Sequence, residues 1–383
     1  MKIERVLIRH VRVPLKKPFR TAETERTDSD NVIVQVVLED ASSGYGEGVP
    51  RDYVTGETPA TCFDFLRHAA TGLIGTSCAD FAEAAELAAA LPFGDDPLRP
   101  QCAARCALEL ALLDAAGKRF DTSVSKLVEV LPDVASIVQQ REEVRYGVVL
   151  SASTGSLKAL VYRCFGFRDA KLKVGTDAAR DLEFVRRMRK RLGPKIDIRV
   201  DANGAWSPRE APKLMRKLRK FEVSFVEQPV TKGDTAELAH LRERGQLPVM
   251  LDESLVSERD AQLAVDAGLC DAFNLRISKN GGLIPLVHLA KLAEDNRIGV
   301  QLGCHPGETG ILSAAGRAVA CSVRKLLYLE GSYDQHLLRR NVIREDITFG
   351  RGGRAPRLDG AGLGVTVVPK KLDALTVECI EIT

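Results

Sequence analysis

From about residue 143 to residue 335, the hydrophobic pattern repeats a short apolar run, a polar loop and an amphipathic helix. Eight such apolar runs occur, at 144–150, 170–174, 196–201, 223–229, 248–254, 271–277, 298–303 and 326–331. The segments between them place apolar residues at helical spacing. Regular alternation of strand and helix is typical of a parallel barrel. We therefore predict an α/β fold whose larger part is an eight-stranded barrel.

The first hundred residues follow a different pattern. Alternating apolar positions at 2–13 and 31–38 predict strands, residues 44–48 predict a glycine-rich turn, and 57–74 and 79–91 predict helices. An Ala- and Leu-rich run at 102–120 predicts a helix buried between two domains. Apolar alternation near the C terminus has no place left in the barrel, so we expect it to return to the first domain. The predicted units are a cap at 1–120, a barrel at 121–335 and a C-terminal segment at 336–383.

The composition of the chain argues against several classes of function. The chain has 383 residues, with 55 Lys plus Arg against 52 Asp plus Glu. This near balance argues against a protein dedicated to nucleic acid or membrane surfaces, and the basic run at 186–191 lies on an amphipathic barrel helix, as a solvated face would. Nine cysteines lack zinc-site spacing and are expected to be reduced. No run reaches membrane-spanning length and the first residues resemble a strand, so we expect a cytoplasmic protein.

Three carboxylates end three successive predicted strands. Asp201, Glu227 and Asp252 are separated by 26 and 25 residues, one strand–helix repeat each. Because the C-terminal ends of barrel strands surround one mouth, these side chains are expected to converge. Each one alone suits a helix N-cap or an ion pair, but three in register favour a divalent cation. Oxygen ligands favour Mg²⁺, with Mn²⁺ as the alternative, over zinc.

Lysines flank these carboxylates on both sides. Lys171 and Lys173 lie two residues apart on the preceding strand, so both face the same side at about 6.6 Å. At that distance two ammonium groups repel by roughly 2.5 kcal/mol, enough to hold one of them neutral as a general base. Lys279 follows Asp252 by 27 residues on the far side of the ring. An isolated strand-end lysine is usually just solvated, but two that bracket a carboxylate cluster suit removal and return of a proton beside a carboxylate.

The motifs KLKVG, DANGAW, VEQP, LDES and NLRISKNGG, in this order and spacing, resemble the muconate-lactonising branch of the enolase superfamily along essentially the whole chain. The resemblance implies a modified (β/α)₇β barrel with an N-terminal α+β cap that the C-terminal segment completes. It implies abstraction of a proton α to a carboxylate through an enediolate. It also implies site roles: Asp201, Glu227 and Asp252 as Mg²⁺ ligands, Lys173 and Lys279 as the acid/base pair, Lys171 as the electrostatic partner of Lys173, and Asn203 and Glu253 beside the metal and Lys279.

Members of that branch select substrates with two cap loops and the ends of the last barrel strands. The cap loops match residues 16–27 and 44–58, and the expected substrate contacts are Phe19, Arg20, Thr21, Tyr53, Thr55, His305, Glu308 and Asp334. His305 suits a substrate contact or an ordinary loop histidine equally well, and Glu308 suits a substrate contact or support of Lys279. The ending VTGET resembles dipeptide epimerases. Their Asp-x-Asp pair is reduced here to Ser332-Tyr333-Asp334, which argues against a dipeptide with a free amino group.

These observations favour an isomerase that racemises or epimerises a dipeptide or an N-acyl amino acid. A cycloisomerase or dehydratase of a carboxylate substrate is the alternative within enzymes. A binding protein that kept the barrel without turnover is disfavoured, because it has no need of the three carboxylates and the lysines. The expected partner is a small-molecule carboxylate, with neither nucleic acid nor membrane, and we expect a homo-oligomer.

Overall fold

The computed structural model describes residues 1–20, 25–244 and 247–383. The first part of the chain forms an α+β unit. Its elements are β1 (Ile3–Arg20), β2 (Glu25–Leu38), β3 (Ser43–Gly48), α1 (Pro59–Thr71), α2 (Phe81–Ala89) and α3 (Cys102–Arg119). The predicted strands are present, but β1 and β2 extend well beyond their apolar parts. Much of segment 16–27, expected as a loop, therefore lies in paired strands.

The predicted glycine-rich turn at 44–48 is wrong, because these residues form strand β3. Glycines 44, 46 and 48 alternate with Tyr45 and Glu47, so all three face one side of the sheet. Helix α3 lies against that side, and a Cβ added to Gly46 would come within 2.0 Å of the Ala107 carbonyl oxygen. The glycines thus serve close strand–helix packing and not chain reversal.

Between the cap and the barrel the chain forms α4 (Leu127–Val130) and β4 (Glu143–Arg145). The barrel elements are β5 (Val148–Leu150), α5 (Ser156–Phe165), β6 (Asp169–Lys173), α6 (Ala178–Leu192), β7 (Asp197–Asp201), α7 (Ala211–Leu218), β8 (Val223–Glu227), α8 (Thr235–Arg244), β9 (Val249–Leu251), α9 (Glu258–Asp266), β10 (Ala272–Leu275), α10 (Leu283–Asp295), β11 (Gly299–Leu302), α11 (Gly310–Ser322) and β12 (Leu326–Leu329). The rest of the chain contributes α12 (Asp334–Leu337), β13 (Arg354–Pro356), α13 (Pro369–Asp373) and β14 (Thr376–Ile382).

Strands β5 to β12 form one parallel sheet in sequence order, with one helix between each pair of neighbours. The amide of Gly147 donates to the Leu329 carbonyl at 2.9 Å and so joins the two edge strands. The predicted (β/α)₇β fold with an N-terminal α+β unit is confirmed. One predicted strand, 144–150, is two: β4 pairs with β13, while β5 enters the barrel.

The two ends of the chain meet in one sheet. β14 pairs antiparallel with β1, and the sheet order is β14-β1-β2-β3. Among the described residues, no helix combines the length and apolarity needed to span a membrane.

Buried carboxylates join the cap to the barrel at helix ends. Glu47 of β3 accepts hydrogen bonds from the amides of Thr309 and Leu312 at 2.9 and 3.1 Å, at the start of α11. Burial raises the pKa of Glu47 to about 7, although these hydrogen bonds oppose the rise. An acid at a helix N-terminus is electrostatically favourable. This contact fixes β3 over the barrel mouth, meaning the C-terminal ends of β5–β12.

Candidate active site

The three predicted carboxylates end neighbouring strands of the barrel. Asp201 and Glu227 are paired in register as the last residues of β7 and β8, and Asp252 directly follows β9. All three are fully buried. Burial raises the pKa of Asp201, but Lys173 and Lys171 outweigh it and bring that pKa to about 2. Asp201 is therefore an anion at neutral pH.

Lys171 is buried among carboxylates. Its Nζ lies 3.1 Å from Glu227 Oε1, 2.9 Å from Glu330 Oε2 and 3.6 Å from Asp201 Oδ2. Burial lowers the pKa of Lys171, but these three carboxylates outweigh burial and raise the pKa above its ordinary value. Lys171 is consequently a permanent cation, and it is not the neutral member of the Lys171–Lys173 pair.

Lys173 stands nearer to solvent, with 27% of its side chain exposed. Its Nζ lies 3.2 Å from Asp201 Oδ2 and donates to Asn203 Oδ1 at 3.1 Å. Asn203 in turn donates through Nδ2 to Glu253 Oε1 at 3.0 Å. The structure therefore brings Lys173, Asn203 and Glu253 into one hydrogen-bonded chain across the mouth.

Lys279 lies on the other side of the carboxylates and is fully buried. Its Nζ donates to Asp252 Oδ1 at 2.9 Å and to the Asp252 and Asn274 carbonyls at 2.8 and 2.7 Å. Burial and then the positive charge of Arg276 hold the pKa of Lys279 well below its ordinary value. Lys173 and Lys279 thus contact carboxylates on different strands, with Glu227 on the strand between them.

Sequence reasoning missed Arg276 and Glu330. Arg276 donates to Asp252 Oδ2 and lies 4.0 Å from Glu227 Oε1. Glu330 directly follows β12 and binds Lys171 and Arg199. Both had a signal in the sequence, because Glu330 and Arg276 are charged residues directly after the apolar cores of barrel strands, as the predicted acids are.

The seventh strand end brings His305 and Glu308 under the cap. His305 is 2% exposed, and neither of its ring nitrogens has a hydrogen-bond partner among the described residues. Burial, then the charges of Arg276 and Arg51, hold its pKa well below the ordinary value. Glu308 accepts from the His305 amide at 2.6 Å, and burial raises its pKa to about 8. At neutral pH the imidazole and the carboxyl are therefore both uncharged.

Asp334, another predicted substrate contact, is bound by other residues of the fold. Both carboxylate oxygens of Asp334 accept hydrogen bonds, from Ser313 at 3.0 Å and Asn341 at 2.6 Å, and the residue is 3% exposed. The structure therefore holds Asp334 in the fold and does not present it to the mouth.

The cap contributes an exposed aromatic side chain. Tyr53 is 45% exposed, and the Arg26 guanidinium lies 5.5 Å from the centre of its ring. The Thr55 hydroxyl donates to the Arg51 carbonyl. Phe19 and Arg20 end β1, and Thr21 lies outside the described residues.

Cations already neutralise the carboxylates of the mouth. Within the described ranges, no three or more His, Cys, Asp or Glu side chains are grouped so as to hold a metal ion. Lys171, Lys173, Arg276 and Lys279 each contact at least one of Asp201, Glu227 and Asp252. The mouth therefore holds three buried carboxylates contacted by the chain's own cations, with Lys173 on one side and Lys279 on the other.

Comparison with known families gives two matches that together span most of the chain. A model described as enolase C-terminal domain-like matches residues 157–371. A model of the mandelate racemase / muconate lactonizing enzyme N-terminal domain matches residues 3–128.

Individual relatives match over nearly their whole length. An N-succinyl-L-Arg/Lys racemase of Bacillus cereus is 29% identical over 98% of both chains, and an L-Ala-D/L-Glu epimerase of Clostridium acetobutylicum is 27% identical over 86% of this chain and 90% of its own. Among solved structures, the N-succinyl Arg/Lys racemase from Bacillus cereus superposes with a TM-score of 0.87 at 28% identity over 100% of both chains. The dipeptide epimerase from Cytophaga hutchinsonii complexed with Mg and D-Ala-L-Val gives 0.82 at 26% over 100% of both. Muconate lactonizing enzyme from Pseudomonas fluorescens gives 0.85 at 26%, over 98% of this chain and 99% of its own.

Proposed function

Because the chain belongs to the mandelate racemase / muconate lactonizing enzyme family of the enolase superfamily, and is an isomerase of that superfamily, we propose that it is a Mg²⁺-dependent racemase of an N-acyl amino acid. The observation that carries the proposal is the placement of Lys173 and Lys279 on opposite sides of the buried carboxylates. Lys173 contacts Asp201 at 3.2 Å, and Lys279 contacts Asp252 at 2.9 Å.

The donor set fits Mg²⁺. Asp201, Glu227 and Asp252 supply oxygen only, are buried, and end neighbouring strands. The Arg276 guanidinium contacts Asp252 and lies 4.0 Å from Glu227 Oε1. It thus occupies a position between two carboxylates that a metal cation could also occupy. A metal ion held by the three carboxylates would displace Arg276 from Asp252. Mg²⁺, when bound, would offset the negative charge that develops on the substrate carboxylate.

The protein's own part in the reaction is proton transfer at the α-carbon. One lysine, as the neutral amine, removes the α-proton and becomes an ammonium. The other, as the ammonium, gives a proton to the opposite face and becomes the amine, so charge and protons balance over a turnover. Burial and the charge of Arg276 lower the pKa of Lys279, which makes its amine form more accessible than that of an ordinary lysine. Lys171, kept cationic by Glu227, Glu330 and Asp201, keeps a positive charge beside the carboxylates of the mouth.

The end of the eighth barrel strand bears on the choice of substrate. An α-ammonium group needs a free carboxylate partner, whereas Glu330 is bound by Lys171 and Arg199, and Asp334 by Ser313 and Asn341. Among the described residues at this strand end, the carboxylate oxygens of Glu330 and Asp334 are all bound to other side chains, so neither residue is available to an ammonium group of the substrate. An acylated nitrogen carries no positive charge and avoids this requirement. We therefore favour an N-acyl amino acid over a dipeptide with a free amino group.

A substrate screen tests the proposal. N-succinyl amino acids, N-acetyl amino acids, dipeptides and acid sugars are incubated in D₂O with Mg²⁺ or with EDTA, and α-deuteration and chirality are followed by NMR and chiral chromatography. Deuteration with inversion of an N-acyl amino acid, abolished by EDTA, is the expected result. Loss of a β-leaving group or ring closure would instead support the dehydratase or cycloisomerase alternative. Exchange of dipeptides alone would contradict the substrate preference.

A further inference from the structure

We propose that Glu109 and Arg105 of cap helix α3 are positioning residues that hold the barrel loop carrying Lys279, an inference that rests on the proposed function of that lysine. Neither side chain contacts the carboxylates of the mouth. Both are buried, at 0% and 1% exposure. They act through the backbone of residues 281–284, two residues beyond Lys279.

The contacts form a clamp between the cap and the barrel. Glu109 Oε1 accepts hydrogen bonds from the amides of Leu283 and Ile284, at 2.5 and 3.1 Å, which begin helix α10. Arg105 Nη1 donates to the Gly281 carbonyl at 2.6 Å and also to Glu109 Oε2. The rest of the guanidinium is fixed in the cap by the carbonyls of Ala88 and Leu91. One ion pair therefore ties two domains together at this loop.

Two glycines allow helix α3 to approach this loop closely. Gly281 and Gly282 have φ angles of +88° and +127°, and a Cβ added to Gly282 would come within 2.3 Å of Glu109 Oε1. A Cβ on Gly281 would come within 2.4 Å of Phe93, whose ring lies 4.6 Å from the Arg105 guanidinium carbon. The Gly-Gly pair after Lys279 is thus explained by the approach of α3 and not by the chemistry of the mouth.

The barrel side of the same loop is fixed independently. Asn280 accepts from the Arg276 amide at 2.8 Å and donates to the Leu255 and Val256 carbonyls at 3.2 and 3.0 Å. Lys279 therefore stands between an anchor in the barrel and a clamp from the cap. Lys173, on β6, has no contact with this clamp. Loosening the clamp should consequently displace one of the two lysines and leave the other in place.

Electrostatics support the assignment. Burial raises the pKa of Glu109, while Arg105 and the α10 amides oppose the rise. A carboxylate at a helix N-terminus is favoured by the helix dipole, and a charge-assisted hydrogen bond from Arg105 Nη1 stabilises it further. Replacing Glu109 by Gln keeps the volume and one acceptor but removes the charge that holds Arg105. Displacement of a reacting group by about 1 Å costs up to about 100-fold in rate.

The test follows α-proton exchange separately for the two enantiomers. Each enantiomer of the N-succinyl amino acid that wild type turns over fastest is incubated in D₂O with Mg²⁺ and wild type, E109Q or K279A. The K279A variant identifies the enantiomer whose proton Lys279 removes. E109Q is expected to slow exchange of that enantiomer by about tenfold or more and of the other by less than about twofold.

A matched control lies on the same helix. Asp114 is also buried and accepts from the amides of Tyr45 and Leu363, but it touches no residue of the Lys279 loop. D114N is expected to lower thermal stability while leaving the ratio of the two exchange rates unchanged.

If E109Q does not fold, R105K is used in its place, because a lysine side chain cannot contact Gly281, Glu109 and the cap carbonyls together.

A second measurement needs no substrate. Amide hydrogen exchange of residues 280–284 should quicken in E109Q and stay as in wild type in D114N. Equal slowing of both enantiomers by E109Q, or unchanged amide exchange in that segment, would overturn the inference. A wild-type enzyme that exchanges no N-acyl amino acid would contradict the proposed function and this inference with it.

Discussion

At the scale of single residues, the barrel mouth is a set of buried charges held in contact. Lys171 lies between Glu227 and Glu330, at 3.1 and 2.9 Å, and its side chain is 3% exposed. Removing one partner of a buried ion pair leaves an uncompensated charge in a medium that solvates it poorly. Lys171 is therefore needed for the fold as well as for the proposed chemistry.

Replacing Lys171 by Met should lower the free energy of unfolding by about 3–5 kcal/mol in the absence of metal, because Glu227 and Glu330 lose their common cation. Urea unfolding followed by circular dichroism in EDTA measures the loss. Lys220→Met, at an exposed helix-end position, is the control and should change stability by less than about 0.5 kcal/mol. A loss below about 1 kcal/mol for Lys171→Met would contradict the assigned role.

Glu47 should make stability pH-dependent. Its pKa is about 7 in the fold against an ordinary 4.5, so its stabilising contribution is full below pH 4.5 and is lost as pH rises through 7. Between pH 5 and pH 8, wild type should lose about 2–3 kcal/mol relative to Glu47→Gln. Urea titrations of both proteins across this range measure the difference. A constant difference would show that the carboxyl is ionised throughout.

At the scale of elements, the packing of β3 on α3 joins the cap sheet to the helix that reaches the Lys279 loop. Gly46 lies against the α3 backbone with no room for a methyl group. Overpacking at backbone contact cannot be relieved by a rotamer change. The position of α3, and with it the position of Glu109, therefore depends on this glycine strand.

Gly46→Ala should destabilise the protein by about 1–3 kcal/mol or more, because the added Cβ would lie 2.0 Å from the Ala107 carbonyl oxygen. Thermal unfolding checks the loss. Gly72→Ala is the matched control: Gly72 has helical φ and ψ of −67° and −13°, and a Cβ there would meet only the Ala69 carbonyl at 3.6 Å. The control should be neutral or slightly stabilising. Equal effects would contradict the packing account.

The pattern of apolar residues was sufficient to predict the strands of the barrel but not all the strands of the cap. All eight barrel strands were predictable because strands buried on both faces are short continuous apolar runs. Strand β3 was not, because its packing face consists of glycines and gives no apolar alternation. The outer ends of β1 and β2 were missed for a similar reason: residues 16–20 and 25–30 are mostly charged or polar and show no apolar alternation.

The active-site residues, too, were predictable only in part. Strand-end spacing located Asp201, Glu227 and Asp252 on neighbouring strands, because one repeat separates them. It could not reveal that Arg276 occupies the space between two of them, or that Asp334 is bound by Ser313 and Asn341. Such contacts depend on side-chain packing between segments far apart in sequence, which periodicity does not encode.

At the scale of the whole molecule, binding of Mg²⁺ at the barrel mouth would be coupled to the stability of the fold. Ligand that binds only the folded state stabilises it by about 2.7 kcal/mol at one hundred times its Kd. In the folded protein, Arg276 contacts Asp252 and lies near Glu227, so a Mg²⁺ ion held by the carboxylates would have to displace Arg276. Stabilisation by Mg²⁺ should therefore be abolished when a ligand carboxylate is removed.

Adding Mg²⁺ should raise the unfolding temperature of wild type and leave that of Glu227→Gln unchanged, because the variant lacks a central ligand. Differential scanning calorimetry with and without EDTA gives both values. Asp295→Asn is the control, since exposed Asp295 pairs, among the described residues, only with Lys291 of the same helix and should keep the full response. An equal rise in Glu227→Gln would place the metal elsewhere.

The most direct test of the central claim, two lysines serving opposite faces of one α-carbon, is enantiomer-resolved proton exchange in Lys173→Ala and Lys279→Ala. Each variant should lose racemisation by about 10²–10⁴-fold. Each should still exchange the α-proton of one enantiomer of an N-acyl amino acid with D₂O, and the two variants should retain opposite enantiomers. Retention of the same enantiomer by both variants, or racemisation at a near wild-type rate by both, would contradict the account.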